Sequence, residues 1–438
     1  MISAKQLFER VHYLSHTIGT RMAGTEEERK AAEYLMEGFG QVVPKCMMEP
    51  FPVNSQRAVV ECFQIYASGK WSFFSASLYN GAPTTNGRSV EAEIVFFDSH
   101  TDYQRKDLSY LHDKAVLHFG ASAPDEESYA RLMAVKPAFL LMVDTNYTNS
   151  VPLNDGLLPA HVAKYGAVPT MSVSFYDAWK WFQLNATRAR LRVSGGNQIA
   201  QSQNVIAEIP GTDQEACCIY LGSHMDSVAG SPGADDNAIG CAILLEAAKE
   251  LAEKPHRNTI KLISFGSEEQ LSVGSAEYVR KHDREIEKKG RFMMNFDSCG
   301  SLIGWNKFVM NAEDELRKEI KEFFNSRNIY YVERLNPDPC NDLFPFTVLG
   351  VPGLTVMRNN CESGKFFHHR FDNDISNISF DIAADLANAA VEWVSDLADR
   401  NLQTFYRTNQ KNCAEVGQIW RSDYGGFEYQ LKTAEDSK

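Results

Sequence analysis

A chain of 438 residues is too long for one ordinary hydrophobic core, and predicts two domains or one large domain carrying an insertion. Its 44% apolar and 23% charged residues exclude a disordered protein. The net charge of -13 comes from 57 acidic against 44 basic residues with no Lys/Arg cluster, which argues against nucleic acid and anionic membrane surfaces as partners.

The start, Met1-Ile2-Ser3-Ala4-Lys5, carries no apolar run of signal-peptide type, and no segment reaches the roughly 18–20 apolar residues that span a bilayer. Nine cysteines, with Cys217 and Cys218 adjacent and no CxxC pair, suit reduced thiols, so a cytoplasmic protein is expected. Residues 4–40 read as helical. Thr25 and Glu28 have capping-box spacing, Ala32, Leu35, Met36 and Phe39 share a face, and Gly40 can end the helix. Strand-like runs follow at Ala58–Tyr66 and Trp71–Leu78. Between about 80 and 185 the pattern becomes short strands, turns and one helix, with strands at Ala92–Phe97, Lys114–Phe119, Ala138–Val143 and from Val168.

Beyond Ala200 three apolar runs each end at a polar residue. Cys218–Leu221 leads to His224, Ile260–Phe265 to Glu268-Glu269, and Phe292–Phe296 to Asp297. A helical pattern, Asn237–Glu253, is closed by Lys254-Pro255. Alternating strands and helices predict an α/β fold with a mixed, largely parallel sheet sandwiched by helices, and sites in such sheets lie beyond the carboxyl ends of strands. The expected organisation is a discontinuous catalytic domain (1–79 and 186–400), a smaller β-rich insert (80–185) and an extension (401–438) whose mixed, polar tail leaves a homo-oligomer open.

His224, Asp235, Glu269, Asp297 and His368 are of types that bind zinc, and two histidines with three carboxylates can hold two ions if one carboxylate bridges. Glu268 is then spare to handle protons, which predicts hydrolysis. Each residue has a plainer reading. A strand-end histidine is more often simply hydrogen-bonded, Asp235-Asp236 can cap a helix, and Glu268-Glu269 can be solvated. Asp297 after an apolar strand is harder to dismiss, because a buried carboxylate needs a partner. Asp226 can orient His224 from behind, and Asp372 can do the same for His368. The ordered set, at successive strand ends, carries more weight than any member.

These motifs resemble the zinc aminopeptidase and glutamate carboxypeptidase family of exopeptidases with paired zinc ions. The likeness rests on His224/Asp226, Gly233–Gly240 (Gly-Ala-Asp-Asp-Asn-x-x-Gly), Glu268/Glu269 with Gly274-Ser275, Asn295/Asp297, Asp342 with Phe346, Gly350 and Pro352, and His368/Asp372. Gly24-Thr25 matches a further amino-terminal feature. The resemblance covers about 5–60 and 190–400, and the 80–185 segment looks like a protease-associated insert.

The resemblance implies two zinc ions, or other divalent transition metals, bridged by Asp235, with His224 and Asp297 on one and Glu269 and His368 on the other. It further implies Glu268 as general base toward a water that both ions activate, Asp226 as a second active-site carboxylate, and a cis peptide between Asp235 and Asp236. Asp236 and Asp372 would stand behind the ligands. His368 is preferred to His369 because it precedes Asp372 by four. Three positions depart from the family: Leu271-Ser272 replace Gly-Leu, Phe367 stands where a Tyr often assists the tetrahedral intermediate, and Asn341 and Leu343 replace residues of the Ser-Asp motif. The expected substrate is a peptide, with aminopeptidase action foremost. The rivals are an amidohydrolase of small non-peptide amides, a cyclase using one zinc, and an inactive binding protein.

Overall fold

A computed structural model describes residues 1–147, 150–408 and 410–421. Residues 422–438 of the expected extension lie outside the described residues. Four parallel strands form the centre of the sheet: Thr259–Phe265, Cys218–His224, Gly290–Phe296 and Gly353–Asn359, in that spatial order. Trp305–Met310 joins antiparallel to the last of these, and Tyr331–Leu335 closes that edge.

Both faces are covered. Ile219, Leu221, Leu262, Phe292 and Met294 pack against helices that include Ile239–Ala252 and Phe380–Ala398. Tyr220, Ile263, Phe265 and Met293, which alternate with them, pack against Val273–Lys289 and Leu343–Val348. Each large apolar side chain fully buried this way contributes roughly 1.5–3 kcal/mol. The Ile239–Ala252 helix is buried nearly all round, and Gly240 lets its first turn touch the strand ends. A Cβ there would sit 2.5 Å from Ser223 Oγ and 2.6 Å from Phe296 O.

The expected amino-terminal helix is divided. Ala4–His12 runs into a wider turn, Tyr13–Ile18, and a second helix spans Glu26–Gly40. Thr25 caps it as expected by accepting from Glu28 N, but the Glu28 carboxylate reaches Gly24 N at 2.7 Å and Ser202 at 2.6 Å.

Two long antiparallel strands, Lys45–Ala67 and Arg188–Ile209, lead out of this body. Gly195, at φ +83°, is required there, since a Cβ would fall 2.0 Å from Arg57 O. The ribbon carries a second hydrophobic core drawn from residues 63–193. Its parallel strands, Val90–Asp98, Ala115–Phe119, Phe139–Val143 and Thr170–Val173, fall where the sequence put them. Among the described residues it holds three α-helices, Glu126–Ala134, Pro159–Tyr165 and Phe175–Gln183, where one was expected. These helices stand beside the strands of a lobe expected to be mostly β-structure.

The outer lobe is tied to the loop after Gly353–Asn359 by an ion pair between Asp144 and Arg370, whose side chains are 1% and 0% exposed. Arg370 also donates to Phe366 O, His368 O and Val151 O. Asp144→Ala leaves a buried guanidinium without its counter-charge and is expected to lower stability by about 3–5 kcal/mol. Chemical denaturation checks this, and a loss under 1 kcal/mol would show that the pair is not the link.

Candidate metal centre

The four central strands point their carboxyl ends the same way, so the chain leaving each one reaches a common space. His224 is the last residue of its strand, Glu268-Glu269 open a 3-10 turn after Phe265, Asp297 follows Phe296, and His368-His369 lie on the loop after Asn359. His224 Nε2 stands 3.2 Å from Asp236 Oδ1, 3.8 Å from Asp297 Oδ1 and 4.0 Å from Glu268 Oε2. The other Asp236 oxygen faces His368 Nδ1 at 3.4 Å and His369 Nε2 at 3.9 Å. His369 Nε2 is 2.9 Å from Glu269 Oε2. Two groups of ligand atoms, His224/Asp236/Asp297 and Asp236/His368/His369, therefore meet at one carboxylate.

That carboxylate is Asp236, where the sequence reading chose Asp235. Asp235 belongs to neither group: its Oδ1 accepts from Gly300 N at 2.7 Å, its Oδ2 is buried without a hydrogen bond, and its backbone N–H donates to Asn373. The cis peptide joins Asp236 to Asn237, one bond later than expected. Both histidines of the pair enter the site, with rings stacked at 3.6 Å, but it is His369 that reaches both Asp236 and Glu269. Asp372 was expected to orient His368. Among the described residues it bonds neither histidine, and its carbonyl accepts from Asn377. The loop is held instead by Arg370 on His368 O and by Asn154 N–H on His369 O.

Asp226 lies where the sequence placed it. One oxygen is 3.5 Å from His224 Nδ1 and accepts from Glu268 N, and the other accepts from Glu269 N. It thus orients the imidazole and shapes the turn that presents both glutamates. Ser267, Leu271, Ser272, Ser298 and His369 all have φ between +52° and +74°, backbone that is costly for residues with a Cβ and gathers at functional sites. The Leu271 departure thus places a side chain where the family's Gly would be unstrained.

The donor set suits cations. His224 Nε2, Glu269 Oε1, His368 Nδ1 and His369 Nδ1 are buried without a hydrogen bond, in an interior where unpaired polar atoms are rare. Imidazole and carboxylate are the donors that zinc and neighbouring divalent ions accept. Burial pushes the Glu268 proton affinity well above the usual carboxylate range, with Asp342, Asp297 and Glu269 adding to it against His224. Burial lowers His369, but Glu269, Asp236 and Asp155 together raise it to about 9, whereas burial and His369 together drop His368 to about 3. Two fixed cations stand nearby, neither flagged by the sequence. Arg21, 0% exposed, donates to the carbonyls of Leu14, Gly19, Met225, Pro232 and Gly233, clamping the loops around the site. Lys365 is buried in the field of Asp236, Asp297 and Asp235. Neither belongs to a motif, since both act through contacts that only the folded chain creates.

His369→Ala is expected to lower the bound metal and His368→Ala to leave it unchanged, as measured by metal content after dialysis. The reverse result would restore His368 as the ligand.

A profile of Peptidase family M28 matches residues 204–394. The aminopeptidase YwaD of Bacillus subtilis is 24% identical over 406 residues, which span 89% of this chain and 84% of that protein. Carboxypeptidase Q of Rattus norvegicus is 31% identical over 385 residues, spanning 83% of this chain and 79% of its own. The solved structure of BSAP, a zinc aminopeptidase from Bacillus subtilis, superposes with a TM-score of 0.72 at 20% identity, covering 93% of this chain and 98% of that one. With the relative from rat matched along most of both chains and the profile lying over the strand-end residues, this chain belongs to peptidase family M28 and is a metal-dependent exopeptidase.

Proposed function

We propose that the chain is an aminopeptidase that holds two zinc ions, one on His224, Asp236 and Asp297 and the other on Asp236, Glu269 and His369. The observation that carries this reading is the Asp236 carboxylate, which presents one oxygen to His224 and the other to the two histidines of the loop. When bound, such ions polarise a carbonyl oxygen and lower the pKa of a water. Glu268 then accepts the proton of the attacking water and hands it to the leaving amine. Asp226 keeps His224 and the Glu268-Glu269 turn in register. His368, neutral because of its burial and of His369, lines the site beside Asp236.

Relatives named as aminopeptidases support the amino-terminal choice. The separate hydrophobic core of residues 63–193 supports treating the outer lobe as an inserted module of protease-associated type. The nine free cysteines suit a reducing, cytoplasmic setting. A panel of aminoacyl anilides, amino-blocked dipeptides and small aryl amides tests the reading with zinc-loaded protein. Hydrolysis of the anilides, abolished by chelation and restored by zinc, is expected. Activity confined to the aryl amides would overturn it.

A further inference from the structure

On the Glu269 and His369 side of the cluster the protein opens a cleft of about 520 Å³, its mouth included. The wall is built by both lobes. The catalytic body supplies Met22 and Ser227–Ala229, and the ribbon and outer lobe supply Gln56, Asn80 and Asn154–Gly156. A wider groove of about 1120 Å³ shares Met22, Gln56, Leu78, Asn154 and Ala229 with it, so the two form one channel leading away from the metal centre.

One carboxylate in this lining forms no ion pair among the described residues, although it lies in the field of His369. Glu269 is occupied by His369, while Gln56, Asn80 and Asn154 carry no charge. Farther out, Glu26 and Glu27 face a groove that also contains Arg57. Asp155 is different. Its carboxylate accepts a hydrogen bond only from the backbone N–H of Gly156, at 2.7 Å, and has no cation within 4 Å among the described residues. The backbone around it is fixed on three sides. Asp155 O accepts from Asn80 N at 2.8 Å, Asn154 N donates to His369 O at 2.9 Å, and the Asn154 side chain donates to Ala229 O. The outer lobe thus fastens one negative charge beside the residues proposed to hold the second ion, on the path a substrate would take.

We propose that Asp155 is a specificity-determining residue that binds a cationic group of the substrate, an ammonium or guanidinium, within this cleft. The proposal rests on the exopeptidase reading above, because the same centre must cleave what the cleft holds. A free α-amine and a basic side chain offer the same chemistry, a charged N–H donor to an exposed carboxylate that lines the cleft. A plainer role for Asp155, fixing the turn at Gly156, needs only an acceptor oxygen. Asparagine preserves that acceptor and removes the charge.

The test is competitive inhibition by three alcohols lacking an aminoacyl amide bond: leucinol (free α-ammonium), Nα-acetyl-lysinol (side-chain ammonium only) and Nα-acetyl-leucinol (uncharged). Asp155→Asn is expected to weaken one of the cationic probes by about 10–100-fold, the loss of one charged hydrogen bond, and to leave Nα-acetyl-leucinol unchanged. The probe that weakens identifies the source of the cation, and Asp155→Glu should recover part of its affinity. Inhibition by all three unchanged, or weakened equally, overturns the proposal. The exopeptidase reading fails separately, if zinc-loaded wild type hydrolyses no peptide.

Discussion

Asp236→Asn is expected to release both metal ions and abolish hydrolysis, while Asp235→Asn keeps both ions and most of the activity. The two residues are neighbours of one type, yet their surroundings are opposite. Asp236 offers an oxygen to each side of the cluster, and His224, Lys365 and His368 hold it well below the usual carboxylate range despite burial. Neutralising it removes a negative donor from both of the proposed ions at once. The loss in metal affinity should exceed the roughly 10–100-fold seen when an outer partner of a ligand is changed. Asp235 is buried and raised to about 7 by burial, with Asp236 and Asp297 adding repulsion. Asparagine imitates its protonated form and can still accept from Gly300 N–H. Metal content after dialysis, with hydrolysis of an aminoacyl anilide, separates the two variants. Retention of both ions by Asp236→Asn would remove it as the bridge.

This pair also marks where the sequence stopped being informative. That a centre lies at the ends of successive strands was legible, because a parallel sheet must gather those ends on one side, and His224, Glu268-Glu269 and Asp297 stand there. Which member of an adjacent pair turns inward depends on local backbone angles, which composition does not encode. Asp236 (φ -121°, ψ 85°) and Asn237 (φ -139°, ψ 45°) both leave helical geometry within their turn, and His369 sits at φ +53°. Counting residues to a downstream Asp therefore favoured His368, although Asp372 turned out to bond elsewhere.

The long ribbon was only partly readable for a different reason. Pro50 and Pro52 interrupt the first strand as a sequence signal, and Ser194-Gly195-Gly196-Asn197 does the same in the second. Both strands leave many side chains in solvent, and their inward positions include polar residues such as Ser55 and Ser202, so apolar alternation in the sequence is interrupted there. Asp155 and Lys365 were invisible to any motif, since their significance comes from a neighbouring lobe and a returning loop.

Glu268→Gln is expected to lower kcat by about 10²–10⁴-fold, the usual contribution of a positioned general base, with metal content and KM close to wild type. Its position allows that separation. Glu268 is 7% exposed, its backbone N–H is held by Asp226, and Ser272 Oγ donates to its Oε1 at 3.3 Å. Glutamine keeps the size and an acceptor oxygen for Ser272, so the turn presenting Glu269 should survive. What disappears is the capacity to take a proton, which burial and the nearby carboxylates have strengthened in the glutamate. Single-turnover rates alongside metal analysis provide the check. Wild-type turnover in the variant would remove Glu268 from proton transfer. Loss of an ion along with activity would instead make it a metal ligand, because a base that only handles protons leaves the occupancy of the centre untouched.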